Sequence, residues 1–543
     1  MSFSKTEDFI WWKHGVIYHI YPLSFFDSNA DGIGDLVGIN SKLDYLQNLG
    51  VDAIWLSPVY KSPMLDFGYD VENYLEIDPV FGKMEDFKEL ISNAHNRGIK
   101  VIMDLILNHT SDQHPWFLES KSSRSSFKRD WYIWKDPKRG GRPNNWSSAL
   151  GGSAWAFDPK SSQYYLHSFL PEQPDLNWEN TEMQRAFFDD IIFWLDLGVD
   201  GFRLDAINMI GKDPEFRNNP MFFGLFSNSM QWKSRNQARS YQLIKDLRKL
   251  LDLYDEKVLI GEIYALPPGN PNLAASYLNS EHNGLHLTFD FSIVFRYWSA
   301  RMFHTCFEKS YSSIPLTEWA CIVFSNHDLN RSFNRPFTGH HKYQKAIIKA
   351  VLQLTLKGTP FIYYGEEIGM PNSNISRKQL TDPIGKKFWP FYEGRDAART
   401  PMQWDDSKHA GFTKGTPWLP VDKDYLTCNV EAQQLNPDSL LKVYEHLIKL
   451  RKQYPALQFG EWRPLNKGER DIWIYDRVIT NETITVIINF VNKKRKLLMN
   501  APIQGQIIFT TIKNRLSEIE GNLLFLDPYE VILIKRKAEK QIV

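Results

Sequence analysis

The chain has few cysteines, no excess of either charge and no long apolar run. Its three cysteines, Cys306, Cys321 and Cys428, are odd in number and widely separated, without metal-type spacing. That excludes a disulfide framework and a cysteine-based zinc site, and it points to free thiols in a reducing compartment. Lys+Arg and Asp+Glu both number 64, so the electrostatic footprint of a nucleic-acid or anionic-membrane binder is missing. No segment is long enough to span a bilayer, and the N-terminal stretch Met1–Gly15 has no signal-type apolar core; the expectation is a soluble, cytoplasmic protein. No internal repeat, low-complexity tail or protein-partner motif is evident. What is abundant is aromatic: 18 Trp, 24 Tyr and 35 Phe. Most of these must fill a core, and a surplus suits stacking against sugar rings.

At 543 residues the chain exceeds one average domain. Buried-type strands are expected at Val16–Tyr21, Asp52–Pro58, Lys100–His109, Asp200–Ala206, Lys257–Ile263, His286–Phe291, Cys321–Asp328 and Thr359–Gly365. Helical patterns alternate with them, at Gly38–Leu49, Met84–Asn96, Thr181–Leu197, Gln242–Tyr254 and His341–Leu356; the first two stop at Gly50 and Gly98, the residue type expected just past a helix end. Eight such strands predict an α/β fold, a closed (β/α)8 TIM barrel. The alternation breaks at residues 110–177, read as an inserted B domain after strand 3, and again at about 370–426, an irregular insertion. The expected division is therefore 1–109 (barrel, first part), 110–177 (B domain), 178–467 (barrel, remainder) and 468–543, a C-terminal antiparallel β domain. A helix at Pro437–Arg451 precedes that last unit, and β-patterned segments at Asp471–Tyr475, Ile484–Asn489 and Ile507–Phe509 build it.

Barrel enzymes assemble their sites at the C-terminal strand ends. Standing there are Tyr69, Asp70, Asp104, Asn108, His109, Arg203, Asp205, Glu262, His327 and Asp328. Arg203 and Asp205, two apart on one strand, face the same way, and a neighbouring cation favours an ionised carboxylate. A structural ion pair would look the same in isolation. Three acids from three strands, Asp205, Glu262 and Asp328, suit retaining glycoside cleavage, in which one acid attacks and another shuttles a proton. Glu262 has no cation beside it in sequence, which suits the acid/base role.

The ordered phrases DLILNH (Asp104–His109), GFRLDA (Gly201–Ala206), GEIY (Gly261–Tyr264) and FSNHD (Phe324–Asp328) resemble the four signature regions of the α-amylase superfamily of glycoside hydrolases. The opening VIYHIYPLSFFDSNADGIGDL, the phrase DFGYDV, the block GGSAWAFDPKSSQYYLHSFLPEQPDLNW and the late RTPMQW resemble its oligosaccharide-acting α-glucosidase branch. The resemblance implies retaining cleavage of α-glucosidic bonds in short oligosaccharides, with Asp205 as nucleophile, Glu262 as acid/base and Asp328 stabilising the transition state. It implies that Arg203 orients Asp205, and that Asp70, Tyr69, His109, His327 and Arg399 hold the terminal glucose, with Phe169 and Gln173 lining the pocket. Non-catalytic transporter subunits also resemble this family, but they carry a membrane helix and have lost the acids.

Asp27, Asn29, Asp31 and Asp35 occupy positions one, three, five and nine of an EF-hand-type loop, with Gly32 at six and the Ile33 carbonyl at seven; position twelve is Gly38, so the bidentate glutamate is missing. The resemblance implies structural Ca2+ there, with no organic cofactor. Ala206, after the nucleophile, implies α-1,4 (maltose-type) preference over α-1,6, since α-1,6-specific relatives tend to carry Val. Isomerase and transglucosylase activities share the same intermediate. The long segment 211–240, rich in Phe, Asn and Met, is expected to wall the cleft or to run over the surface.

Overall fold

Alternation along eight short strands sorts their side chains into two separate cores. The computed structural model describes residues 8–537, apart from 221–232, 266–268, 279–280, 282, 295, 316, 336–338 and 467–468. The strands are β1 (Ile17–Ile20), β2 (Ala53–Leu56), β3 (Lys100–Leu105), β4 (Gly201–Leu204), β5 (Val258–Glu262), β6 (Leu287–Phe289), β7 (Cys321–Val323) and β8 (Thr359–Tyr363). One phase, including Ile17, Trp55, Ile102, Ile260, Phe289 and Phe361, forms a cluster of its own inside the barrel, with Trp11 and Trp319 packed into it. The opposite phase, including Tyr18, Ile54, Val101, Phe202, Leu259 and Ile362, joins the main core with the outer helices. Because both faces are buried, these strands read in sequence as unbroken apolar runs.

All eight strands are parallel, in the order β6-β5-β4-β3-β2-β1-β8-β7, and β6 and β7 lie side by side at the seam. The (β/α)8 barrel read from the sequence is therefore present. Helices at Met84–Asn96, Thr181–Asp196, Ala238–Leu251 and Lys342–Thr355 match the expected ones closely. The helix expected at Gly38–Leu49 is two, Leu36–Ser41 and Leu43–Leu49, separated at Lys42, whose backbone is not helical.

After β3 the chain leaves the barrel and builds a three-stranded sheet with Gln163–Leu166 central, between Trp134–Lys135 and Trp155–Asp158. A bridge from His109 to Asp175 fastens this B domain to the chain just past β3, and a second, Tyr132 to Leu176, lies within the domain. At the C-terminus a six-stranded antiparallel sheet runs through β9 (Glu461–Pro464), β10 (Ile472–Ile479), β11 (Glu482–Asn489), β12 (Arg495–Thr510), β13 (Glu518–Leu526) and β14 (Val531–Arg536). It takes in β9, ahead of the expected start at 468, because Glu461 to Pro464 pair with Val478 to Tyr475. Trp473 and Tyr475 of β10 face the main core, while Ile472 and Ile474 face a core internal to the sheet.

Candidate active site

The strand register places a single guanidinium at the centre of the acids. Asp104 of β3 pairs with Arg203 of β4, and Arg203 with Ile260 of β5, two residues below Glu262. Asp205, just past β4, points into the same mouth as Arg203 because it lies two residues on. Arg203 is fully buried, with Nη1 3.0 Å from Asp205 Oδ1 and 3.1 Å from Asp104 Oδ1, and Nη2 2.5 Å from Glu262 Oε2. Its carbon centre lies 5.3 Å above the Trp55 ring. No cation is adjacent to Glu262 along the chain, but the barrel brings Arg203 to it across the strands.

Three acids share that cation in a place sheltered from water. Burial pushes the Asp205 carboxyl up to about 7, against the pull of Arg203 and with help from Asp104 and Asp328. Burial pushes Glu262 further, up to about 8, again opposed by Arg203 and reinforced by Asp205 and Asp328. Both carboxyls are thus biased toward the protonated form. Asp104 is fastened by Trp55 Nε1 (3.1 Å) and Tyr69 Oη (2.7 Å) as well as by Arg203. It secures the guanidinium and has no oxygen turned to the pocket mouth.

Asp328, beyond β7, lies on the open side, its side chain 31 % exposed. Burial works to raise its carboxyl, yet His327, Arg395 and Arg399 outweigh that and hold it well below the usual carboxylate range. Arg399 Nη2 donates to Asp328 Oδ1 at 2.8 Å, and Arg395 Nη1 lies 3.3 Å from the same oxygen. His327 Nε2 stands 3.0 Å from Asp328 Oδ2 and 2.7 Å from Tyr69 Oη. Burial lowers His327 to about 4, so this imidazole is neutral near pH 7.

Of the residues expected to hold a glucose, Tyr69, His327 and Arg399 converge with the acids. His109 and Gln173 form a buried layer behind them: His109 Nε2 contacts the Tyr69 carbonyl (3.0 Å) and Gln173 Nε2 (3.1 Å), and Phe169 packs on the His109 ring at 5.1 Å. Asp70 is corrected. It is fully buried, and its oxygens accept from Leu65 N, Asp66 N and Ser62 Oγ, so it ties the turn after β2 instead of facing the pocket. The acid this turn presents is Asp66, 2.7 Å from Arg395 Nη2 and 3.2 Å from Gln173 Nε2. Arg395 is further clamped by Asp382. Asp66, Asp382 and Arg395 were missed because they lie in loops; the one signal was an Arg four residues before Arg399 in a segment without helical period.

In the proposed metal loop, Asp27 Oδ1 accepts from Asn29 N and Ala30 N, and Oδ2 from Gly32 N and the Thr413 hydroxyl. Asn29 and Asp31 accept from the N–H two residues on, and Asp35 accepts from Ser28 N and Gly38 N, capping the helix that follows. Among the described residues no three carboxylate, imidazole or thiolate side chains converge as a metal-holding group. The donors are nonetheless all hard oxygens on one loop, the kind calcium takes, although both oxygens of Asp27 and of Asp35 already accept hydrogen bonds from the loop and its neighbours. Of the segment 211–240, residues 221–232 lie outside the described residues. Its described N-terminal flank docks on the B domain, with Phe216 against Trp146 and Trp155 and its carbonyl accepting from Asn144.

The family described as "Alpha amylase, catalytic domain" matches residues 19–460. The chain is 41% identical over 515 residues to the oligo-1,6-glucosidase of Parageobacillus thermoglucosidasius, covering 89% of this chain and 91% of that protein. It is 42% identical over 469 residues to a probable α-glucosidase of Rhizobium meliloti (strain 1021), covering 83% and 84%. Among solved structures it superposes on the α-glucosyl transfer enzyme XgtA with a TM-score of 0.92 at 37% identity, covering 98% of this chain and all of the other.

Proposed function

The chain belongs to the α-amylase catalytic-domain family, and from that premise we propose that it is an exo-acting α-glucosidase that removes terminal glucose from short oligosaccharides with retention. The observation that carries this reading is Arg203 set between Asp205 and Glu262 at the ends of two strands, with Asp328 opposite. One guanidinium spans two carboxylates only when they are close, which supports the short separation of retaining enzymes, about 5–5.5 Å. An Asp205 oxygen attacks the anomeric carbon while the bond from that carbon to the leaving oxygen breaks, and Glu262 donates its proton to that oxygen. Water then attacks the same carbon, gives its proton to Glu262 and releases Asp205. Asp328, kept ionised, stabilises the positive charge that builds on the ring.

Linkage is the finer part of the proposal. Ala206 supports α-1,4 preference: its backbone is left-handed (φ 42), its methyl is buried beside the nucleophile, and its N–H bonds Glu262. The relatives named for 1,6-bonds support the opposite preference, and the transfer enzyme supports a sugar acceptor in place of water. Product analysis with maltose, isomaltose and sucrose, beside Asp205→Asn, separates these. Glucose chiefly from maltose, released first as the α-anomer and lost in the variant, is the expected result. A higher kcat/KM for isomaltose reverses the linkage, and a new disaccharide from sucrose makes the enzyme a transferase.

Structural Ca2+ at Asp27, Asn29, Asp31, the Ile33 carbonyl and Asp35 belongs to the same proposal, supported by the donor order. Chelation is expected to lower Tm by several degrees, as loss of a bound ion withdraws its binding energy from the native state, about 2.7 kcal/mol at 100 times Kd. An unchanged Tm removes calcium and leaves a loop held by its own N–H bonds. A cytoplasmic location is supported by the three unpaired thiols and is tested by fractionation. No helix among the described residues is long and apolar enough to cross a membrane.

A further inference from the structure

The pocket is closed below. Trp55, Asp104 and Arg203 are at most 1 % exposed beneath Asp205. Among the described residues the way outward from Asp205 lies past Asp328, the one acid of the three that is substantially open to water. That rim is formed by the segment Lys387–Arg395. Four of the five residues from Phe388 to Tyr392 are aromatic, and the exposures are 39 % for Phe388, 96 % for Phe391 and 44 % for Tyr392. Rings left in water stabilise nothing in the isolated fold, and apolar patches rimmed by polar groups mark ligand grooves.

This lip is also held firmly at both ends. On one side Lys387 Nζ donates to the carbonyls of Leu150 (2.9 Å) and Gly151 (2.8 Å) in the B domain. Phe388 lies so close over Gly151 that a Cβ there would come within 2.8 Å of its ring. On the other side, Asp382 accepts from the Arg395 backbone and side chain, and Arg395 contacts Asp328 and Asp66. Tyr392 reaches back far enough to feel the charges of Arg395, Asp382, Asp328 and Arg399. A cleft of about 310 Å3 lies between Lys387, at the start of this segment, and the B-domain residues Trp155, His167 and Phe169; Phe169 is the ring that packs on His109.

We infer that Phe391 and Tyr392 form a stacking platform for the sugar units beyond the first glucose, whether these belong to the leaving group or to an acceptor. The inference rests on the glucosidase reading above and adds the site that selects substrate length. Sugar rings present apolar C–H faces to such a platform, while Lys387 and the Tyr392 hydroxyl supply polar contacts at its edge.

The test compares maltotriose with α-D-glucosyl fluoride, which carries no second sugar. For Phe391→Ala and Tyr392→Ala, kcat/KM on maltotriose is expected to fall about tenfold, the equivalent of roughly 1.4 kcal/mol, and the fluoride to change by less than about twofold. Tyr392→Phe, which keeps the ring, should restore most of the maltotriose rate. Equal losses on both substrates overturn the platform, since the lip then only props the pocket. Unchanged kinetics overturn it too, and a shift in sedimentation of Phe391→Ala alongside would assign the lip to contact with a second copy. Failure of the wild-type enzyme on the fluoride instead overturns the glucosidase reading itself.

Discussion

A fully buried arginine shared by three acids is an electrostatic bargain in which no partner is satisfied completely. Arg203 meets Asp104, Asp205 and Glu262, and one positive charge cannot offset three negative ones in a sheltered site. Burial, with the neighbouring acids adding to it and Arg203 only partly opposing, raises the carboxyls of Asp205 and Glu262 to about 7 and 8. On the proposed mechanism the active form has Asp205 ionised and Glu262 protonated, and kcat/KM against pH should follow a narrow bell whose limbs belong to the pair, not to either acid alone. Arg203→Gln removes the cation that favours ionisation, so the acid limb should move to higher pH while kcat falls about 100-fold or more; an unmoved limb denies Arg203 its role. Stability follows with a definite sign. A carboxyl whose folded value is raised contributes fully at low pH, where it is protonated in both states, and that contribution is lost as pH rises through about 7. Asp205→Asn should accordingly raise Tm by about 2 °C at pH 8 and by less at pH 5, measured by calorimetry on matched samples.

Strand β4 shows how an element turns a two-residue spacing into a site. Gly201, Arg203 and Asp205 share one face, and the lowest of them must be small: a Cβ on Gly201 would lie 2.4 Å from both the carbonyl oxygen and Cγ1 of Val258. Gly201→Ala should cost about 1–3 kcal/mol through overpacking and lower activity by displacing Arg203; an unchanged denaturation midpoint counts against that close approach. Past the strand, Ala206 sits at φ 42, a backbone that a β-branched residue tolerates poorly. Ala206→Val should lower the maltose-to-isomaltose ratio of kcat/KM by about tenfold, at some loss of stability. Some helices were overlooked. The helix Ala300–Ser313 buries Ala300, Phe303, His304 and Phe307 at helical spacing, a period present in the sequence. The helix Pro115–Ser122 is short and has hardly any one-sidedness, so nothing periodic announced it.

At the scale of the molecule, the C-terminal sheet is a buttress welded to the barrel. Arg477 of β10 is fully buried and donates to the carbonyls of Thr355, at the end of a barrel helix, and Gly460. Thr355 also shares a hydrogen bond with Tyr475. Because Trp473 and Tyr475 belong to the same core as the barrel helices, the two parts should unfold in one transition. Arg477→Ala orphans both carbonyls and should cost about 3 kcal/mol or more, lowering Tm while leaving kcat/KM of the folded enzyme within about twofold; two separated transitions in the scan would contradict a shared core.

The sequence alone determined the strand count, the break in alternation after the third strand, and the position of Arg203, Asp205, Glu262 and Asp328 at strand ends, because these follow from a period of two residues, from buried runs and from short contiguous phrases. Only the tertiary structure decided what depends on neighbours distant along the chain. It set Arg203 against Glu262 as well as Asp205, since register across strands is invisible in a single strand. It turned Asp70 into a turn-fastening residue and presented Asp66 in its place, since two acids four apart in a loop carry no period that says which one faces inward. It brought Asp382, Arg395 and the aromatic rim from an irregular insertion to the mouth of the barrel, where charge pairing, not local pattern, holds them.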